Sequence, residues 1–68
     1  MYEIDSHGRP VVYFGNNIAI IKDSDVSFLV VTGLFRVCDE MLDFKEIKYF
    51  ARSKEEAEEV VRNIVKKF

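Results

Sequence analysis

The apolar positions of this chain follow two regimes. From Val11 to Val37 they crowd together, broken every few residues by short polar or glycine-bearing interruptions; from Ala57 onward they recur every three or four residues. In the second regime Ala57, Val60, Val61, Ile64, Val65 and Phe68 draw one continuous stripe along a helix. Ser53-Lys54-Glu55-Glu56 precedes the stripe and matches a capping box. In it the Ser53 hydroxyl accepts from the backbone N–H of Glu56, and the Glu56 carboxylate reaches back to the N–H of Ser53. Glutamates gather at the start, and Arg62, Lys66 and Lys67 near the end, which suits the helix dipole. Glu58 and Arg62 are spaced for an ion pair one turn apart. The pattern predicts a helix over residues 54–67.

The crowded regime reads as strands and turns. Strands are expected at 2–4, 11–14, 18–22, 26–32, 34–38 and 45–51. Asp5 to Pro10 is a loop, Gly15-Asn16-Asn17 a turn in which Gly and Asn tolerate positive φ, and Asp23-Ser24-Asp25 a second turn. Gly33 marks a turn or a bulge. Residues 39–45 fit either an extended strand or one turn of helix. The expected fold class is α+β, a single domain over residues 1–68. It is a curved antiparallel meander of four to five strands, with a partial barrel as its more tightly curled form. One C-terminal amphipathic helix packs on it.

Strand side chains alternate faces. Val11 and Tyr13 are then expected on one face and Val12 and Phe14 on the other; Ile18 and Ile20 oppose Ala19 and Ile21, and Phe28 and Val30 oppose Leu29 and Val31. Consecutive strands are therefore apolar on both sides, and one helix can cover only one of them. Three arrangements would cover the other: a curl toward a barrel, a second copy of the chain, or a different protein. A homodimer is the favoured expectation, because closed two-fold dimers are the commonest soluble assembly. Its candidate contact face is Val12, Phe14, Ile18, Ile20, Phe28 and Val30.

Composition narrows the setting. The 68 residues are 49% hydrophobic, with six Phe and three Tyr, enough material for a core in so short a chain. The one cysteine, Cys38, admits no internal disulfide and fits a reducing compartment. No signal-like start and no membrane-length apolar run is evident, so a cytoplasmic chain with no membrane partner is expected. A net charge of -2 gives no general pull toward nucleic acid. Charged residues reach 32% with neither Gln nor Trp, a weak lean toward a thermophile.

The candidate chemistry is sparse. His7 stands in a turn with no nucleophile at a productive spacing, and Cys38 follows Val37 in a strand, where a thiol is ordinarily core material. Asp23-Ser24-Asp25 opens like a calcium loop, but Phe28 and Leu34 stand where that loop needs Gly and Glu. One Cys and one His do not make a zinc site, and Gly8, Gly15 and Gly33 are too scattered for a phosphate loop. Asp39, Glu40, Asp43 and Glu46 form an acidic cluster whose plainer reading is a solvated loop. Lys45, Lys48, Phe50, Arg52 and Lys54, with Tyr49 between them, are candidate nucleic-acid contacts, because bases stack on rings beside basic side chains. Strict alternation puts Lys48, Phe50 and Arg52 on one face and Ile47 and Tyr49 on the other. The expectation is a non-enzymatic interaction or assembly module without metal or cofactor, with nucleic-acid binding as the alternative.

Overall fold

A computed structural model describes residues 4–15 and 17–66. The elements run β1 (Val11–Gly15), β2 (Ile18–Ser24), β3 (Ser27–Thr32), β4 (Phe35–Cys38), β5 (Met41–Asp43), β6 (Glu46–Ala51) and α1 (Lys54–Lys66). One antiparallel sheet has the order β1-β2-β3-β6, and β4 with β5 forms a separate two-stranded hairpin. The fold is α+β, an open antiparallel sheet with a C-terminal helix packed on it, and it does not close into a barrel.

The turns are shorter than the polar clusters suggest. Gly15 pairs with Ile18, so Gly15 ends β1, and Asn17 carries the positive φ of 64°. Ser24 pairs with Ser27, so β2 runs on through Asp23 and Ser24, and of the expected Asp23-Ser24-Asp25 turn only Asp25 lies in the reversal, at Asp25-Val26. The Ser24 hydroxyl accepts from the Val26 N–H, which leaves Val26 exposed in the turn and outside the strand.

The simple meander ends at Gly33, where φ is +73°. Here the chain leaves the sheet, builds the β4–β5 hairpin, and returns at Lys45, whose N–H donates to the Thr32 carbonyl at 3.1 Å. The neighbour of β3 is therefore β6. The ambiguous 39–45 segment supplies the hairpin turn and β5. Asn17 ties this end together: its side-chain oxygen accepts from the Leu34 N–H at 2.9 Å.

Of the strand expected at residues 2–4, positions 2 and 3 lie outside the described residues. Ile4 forms isolated bridges to Pro10 and to Met41. Its N–H donates to the Glu40 carbonyl, and its own carbonyl accepts from Leu42. Pro10 in turn accepts from Lys22. Hydrogen bonding thus passes from β5 through Ile4 and Pro10 into the main sheet, and among the described residues β4 and β6 are its two unpaired margins. The loop between Ile4 and Pro10 is held by Asp5, which is fully buried. Its carboxylate accepts from the N–H groups of His7 and Arg9 and from Arg9 Nε at 2.6 Å. Burial alone would lower the Arg9 pKa; hydrogen bonds to Asp23 and Asp5 and the charges of both outweigh it and raise the pKa, so the clip stays ionised on the arginine side.

The helix begins as its sequence directs, with one change. Ser53 Oγ accepts from the Glu56 N–H at 3.0 Å, while the Glu56 carboxylate accepts from the N–H of Arg52 at 2.9 Å, one residue before the donor that the motif specifies. Ala57 and Val61 are buried against Ile18, Ile20, Phe28, Val30 and Ala51, flanked by Val12, Val60, Ile64 and Val65. Residue 67, the expected helix end, lies outside the described residues.

The opposite face is also dry. Val11, Ala19, Ile21, Leu29 and Val31 form a second buried cluster, and Leu34 and Phe44 pack on it. Those two residues stand immediately before β4 and after β5, so the excursion that breaks the meander also supplies its second cover.

Two outcomes follow. Ile20, fully buried beneath the helix, should cost about 2–5 kcal/mol when changed to Ala, read by urea unfolding. Gly33→Ala should cost about 1–2 kcal/mol for the left-handed backbone, read by the same method. The cost should exceed that range if Lys45 cannot yield, because its Cβ lies only 2.8 Å from the added methyl.

Candidate interaction surface

Two β-bulges decide which side chains reach the surface. In β1, Val11 pairs with Ile21 and Tyr13 with Ile20, so the register shifts between them. Val11 joins the second-face cluster, Val12 packs on the helix-side cluster, and Tyr13 shares the face of its partner Ile20. Phe14, opposite Ala19, returns to the second face. The expected grouping of Val11 with Tyr13 and of Val12 with Phe14 is therefore overturned. A bulge adds one residue and reverses the alternation beyond it.

The same occurs in β6. Val30 pairs with Tyr49 but Val31 pairs with Ile47, and Leu29 pairs with Phe50. Ile47 and Phe50 thus share the second face with Leu29 and Val31, while Tyr49 takes the helix side and donates from its hydroxyl to Glu56 at 3.4 Å. Strict alternation placed Tyr49 with Ile47 and opposed both to Phe50. The bulge at Lys48 reverses that assignment.

These shifts relocate the candidate contact face. Ile18, Ile20, Phe28 and Val30 are buried under the helix, with Val12 packed beside them, and cannot meet another chain without the helix lifting off. Of the six residues nominated from the sequence, only Phe14 is exposed, at 52%. The face expected to need an external cover is covered within the chain, over β1, β2 and β3. It is uncovered at its β6 margin, where Ile47 is exposed and Phe50 is 67% exposed. β4 exposes Phe35 and Val37 at the other margin.

The basic strand is less basic than it reads. Lys48 is ion-paired with Glu46 on the same strand. Arg52 lends its backbone N–H to the Glu56 carboxylate, and Lys45, Arg52 and Lys54 are exposed at the two ends of β6. Of the two rings in this run, Phe50 is the more open, while Tyr49 is partly exposed and has its hydroxyl on Glu56.

The remaining candidates stay dispersed. His7 is exposed in the Asp5 loop, and Asp23 accepts from Arg9 Nη1 at 3.0 Å. Cys38 is exposed at the end of β4, where core packing was the plainer expectation, because β4 as a whole faces solvent. Arg36 Nη1 donates to the Asp39 carbonyl at 2.7 Å and turns this end of the hairpin. Glu58 and Arg62, spaced for an ion pair, form none. Among the described residues, no three His, Cys, Asp or Glu side chains converge as a metal-binding group would, and no helix is long and apolar enough to cross a membrane.

The exposure of Phe50 has a direct consequence for stability. At protein concentrations low enough to keep the chain as a single copy, Phe50→Ser should change unfolding stability by no more than about 0.5 kcal/mol, as for a surface position, in contrast to the buried Ile20. Comparison with protein-family models, with curated proteins and with solved structures finds no match for this chain, so the functional reading rests on the geometry above.

Proposed function

We propose that the chain is a non-catalytic assembly module that pairs with a second copy of itself along β6. The observation that carries this reading is the exposure of Phe50 and Ile47 beside a strand edge that no described strand occupies. Such an edge is a template for another strand: backbone groups supply the hydrogen bonds and alternate side chains the specificity. Ile47 and Phe50 extend the apolar second face out to that edge, so a strand added there also buries them.

Self-pairing is favoured by the order of residues in β6. In an antiparallel β6–β6 pair centred between Lys48 and Tyr49, Ile47 of each copy lies opposite Phe50 of the other. That is the self-complementarity a two-fold interface requires, and it joins two four-stranded sheets into one. An edge lysine ordinarily blocks such pairing. Here the Glu46 carboxylate neutralises Lys48 along the same strand, which lowers that barrier. The exposed free thiol of Cys38 fits a reducing, cytoplasmic setting.

Sedimentation equilibrium over a concentration series tests the proposal. The wild-type chain should approach twice the single-chain mass, and Phe50→Lys should hold it at one chain mass with unchanged far-UV circular dichroism. A wild-type mass of one chain throughout, or a dimer indifferent to Phe50→Lys, would contradict it. A gain in mass that needs added oligonucleotide and disappears with salt would instead assign β6 to nucleic acid, through Lys45, Lys48, Arg52 and Lys54.

A further inference from the structure

A cleft of about 190 Å³ opens between the β1–β2 side of the sheet and the helix, lined by Tyr13, Ile20, Glu58, Val61 and Arg62. It is smaller than the roughly 300–1,000 Å³ sites that enclose drug-sized molecules, which limits its occupant to a small one. The floor is apolar, because Ile20 and Val61 belong to the buried cluster beneath the helix. The rim is polar and carries both signs of charge. Among the described residues, nothing engages the Tyr13 hydroxyl, the Glu58 carboxylate or the Arg62 guanidinium in a hydrogen bond or ion pair.

Two features make this more than a surface irregularity. Glu58 and Arg62 stand one helical turn apart on α1, in the spacing at which such side chains commonly satisfy each other, yet they form no ion pair and both line the helix side of the cleft. Tyr13 reaches the cleft only because of the β1 bulge, which turns it to the face of Ile20. Bulges recur beside functional sites because they re-aim a side chain in this way.

We propose that the cleft binds a free α-amino acid with a small aliphatic side chain. The side chain rests on Ile20 and Val61. The carboxylate accepts from the Arg62 guanidinium and the Tyr13 hydroxyl, and the ammonium donates to Glu58, so each charged group of the ligand meets a charge-assisted partner. The site is independent of β6 and does not rest on self-pairing.

The test is a two-dimensional amide NMR titration of the full chain with L-valine, isovalerate and isobutylamine. The last two are valine without its ammonium and without its carboxylate. L-valine should give saturable shifts at Tyr13, Ile20, Glu58, Val61 and Arg62. Each analogue should bind roughly tenfold or more weakly, as expected for the loss of one hydrogen-bonded charge. Glu58 and Arg62 stand at the cleft rim and outside the buried cluster, so Glu58→Gln and Arg62→Gln should keep the wild-type circular dichroism and should each weaken valine by a similar factor. Phe50→Lys should leave valine binding unchanged. The absence of saturable shifts would overturn the proposal, as would isovalerate or isobutylamine binding as tightly as valine, or affinity unchanged in both glutamine variants.

Discussion

Everything in this fold answers to one constraint: the β2–β3 hairpin is apolar on both faces and must be kept from water on both. Ile18, Ile20, Phe28 and Val30 point one way, and Ala19, Ile21, Leu29 and Val31 the other. A sheet with one solvated face would be the ordinary antiparallel solution. This chain instead uses two different covers. The helix supplies Ala57 and Val61 to the first face. The detour between β3 and β6 supplies Leu34 and Phe44 to the second. Each cover is short, and each is fastened at its start by a specific polar contact. Ser53 receives the Glu56 N–H at the head of the helix, and Asn17 receives the Leu34 N–H at the head of the detour.

The detour explains the loop system at the opposite end as well. Because β4 and β5 leave the main sheet, their hydrogen bonds must be completed elsewhere. Ile4 does this for β5, bridging to Met41 on one side and to Pro10 on the other, while among the described residues the outer edge of β4 stays unpaired. The buried Asp5 carboxylate, bound by Arg9 and two backbone donors, shapes the loop that carries the chain from Ile4 to Pro10. One glycine backbone conformation at Gly33 thus sets in train both the second cover and the N-terminal clip. The cover stops short of β6, and it leaves Ile47 and Phe50 exposed at that margin.

Local features of the sequence were legible where local physics decides them. The helix shows in its stripe and its capping serine, and the strand positions between Val11 and Thr32 show in their β-branched runs. The dryness of both faces is also readable from alternation alone. The origin of the second cover is not, because Leu34 and Phe44 are ordinary apolar residues separated by nine positions that carry no signal of leaving the sheet. The exposed apolar residues were misplaced for a related reason. A period of two holds only between bulges, and nothing in Val12-Tyr13 or Lys48-Tyr49 announces one. Each bulge reversed the faces beyond it, which moved Tyr13 toward the helix and brought Ile47 and Phe50 together on the second face.

The central claim is that a single chain keeps both faces of the β2–β3 hairpin dry. Native-state amide hydrogen exchange, followed residue by residue at several protein concentrations, tests it most directly. The amides of Ile18–Ile21 and of Leu29–Val31 should be among the slowest to exchange, with protection that does not change on dilution. Protection of these amides that falls away as the protein is diluted would show that another chain supplies the second cover, and would contradict the account.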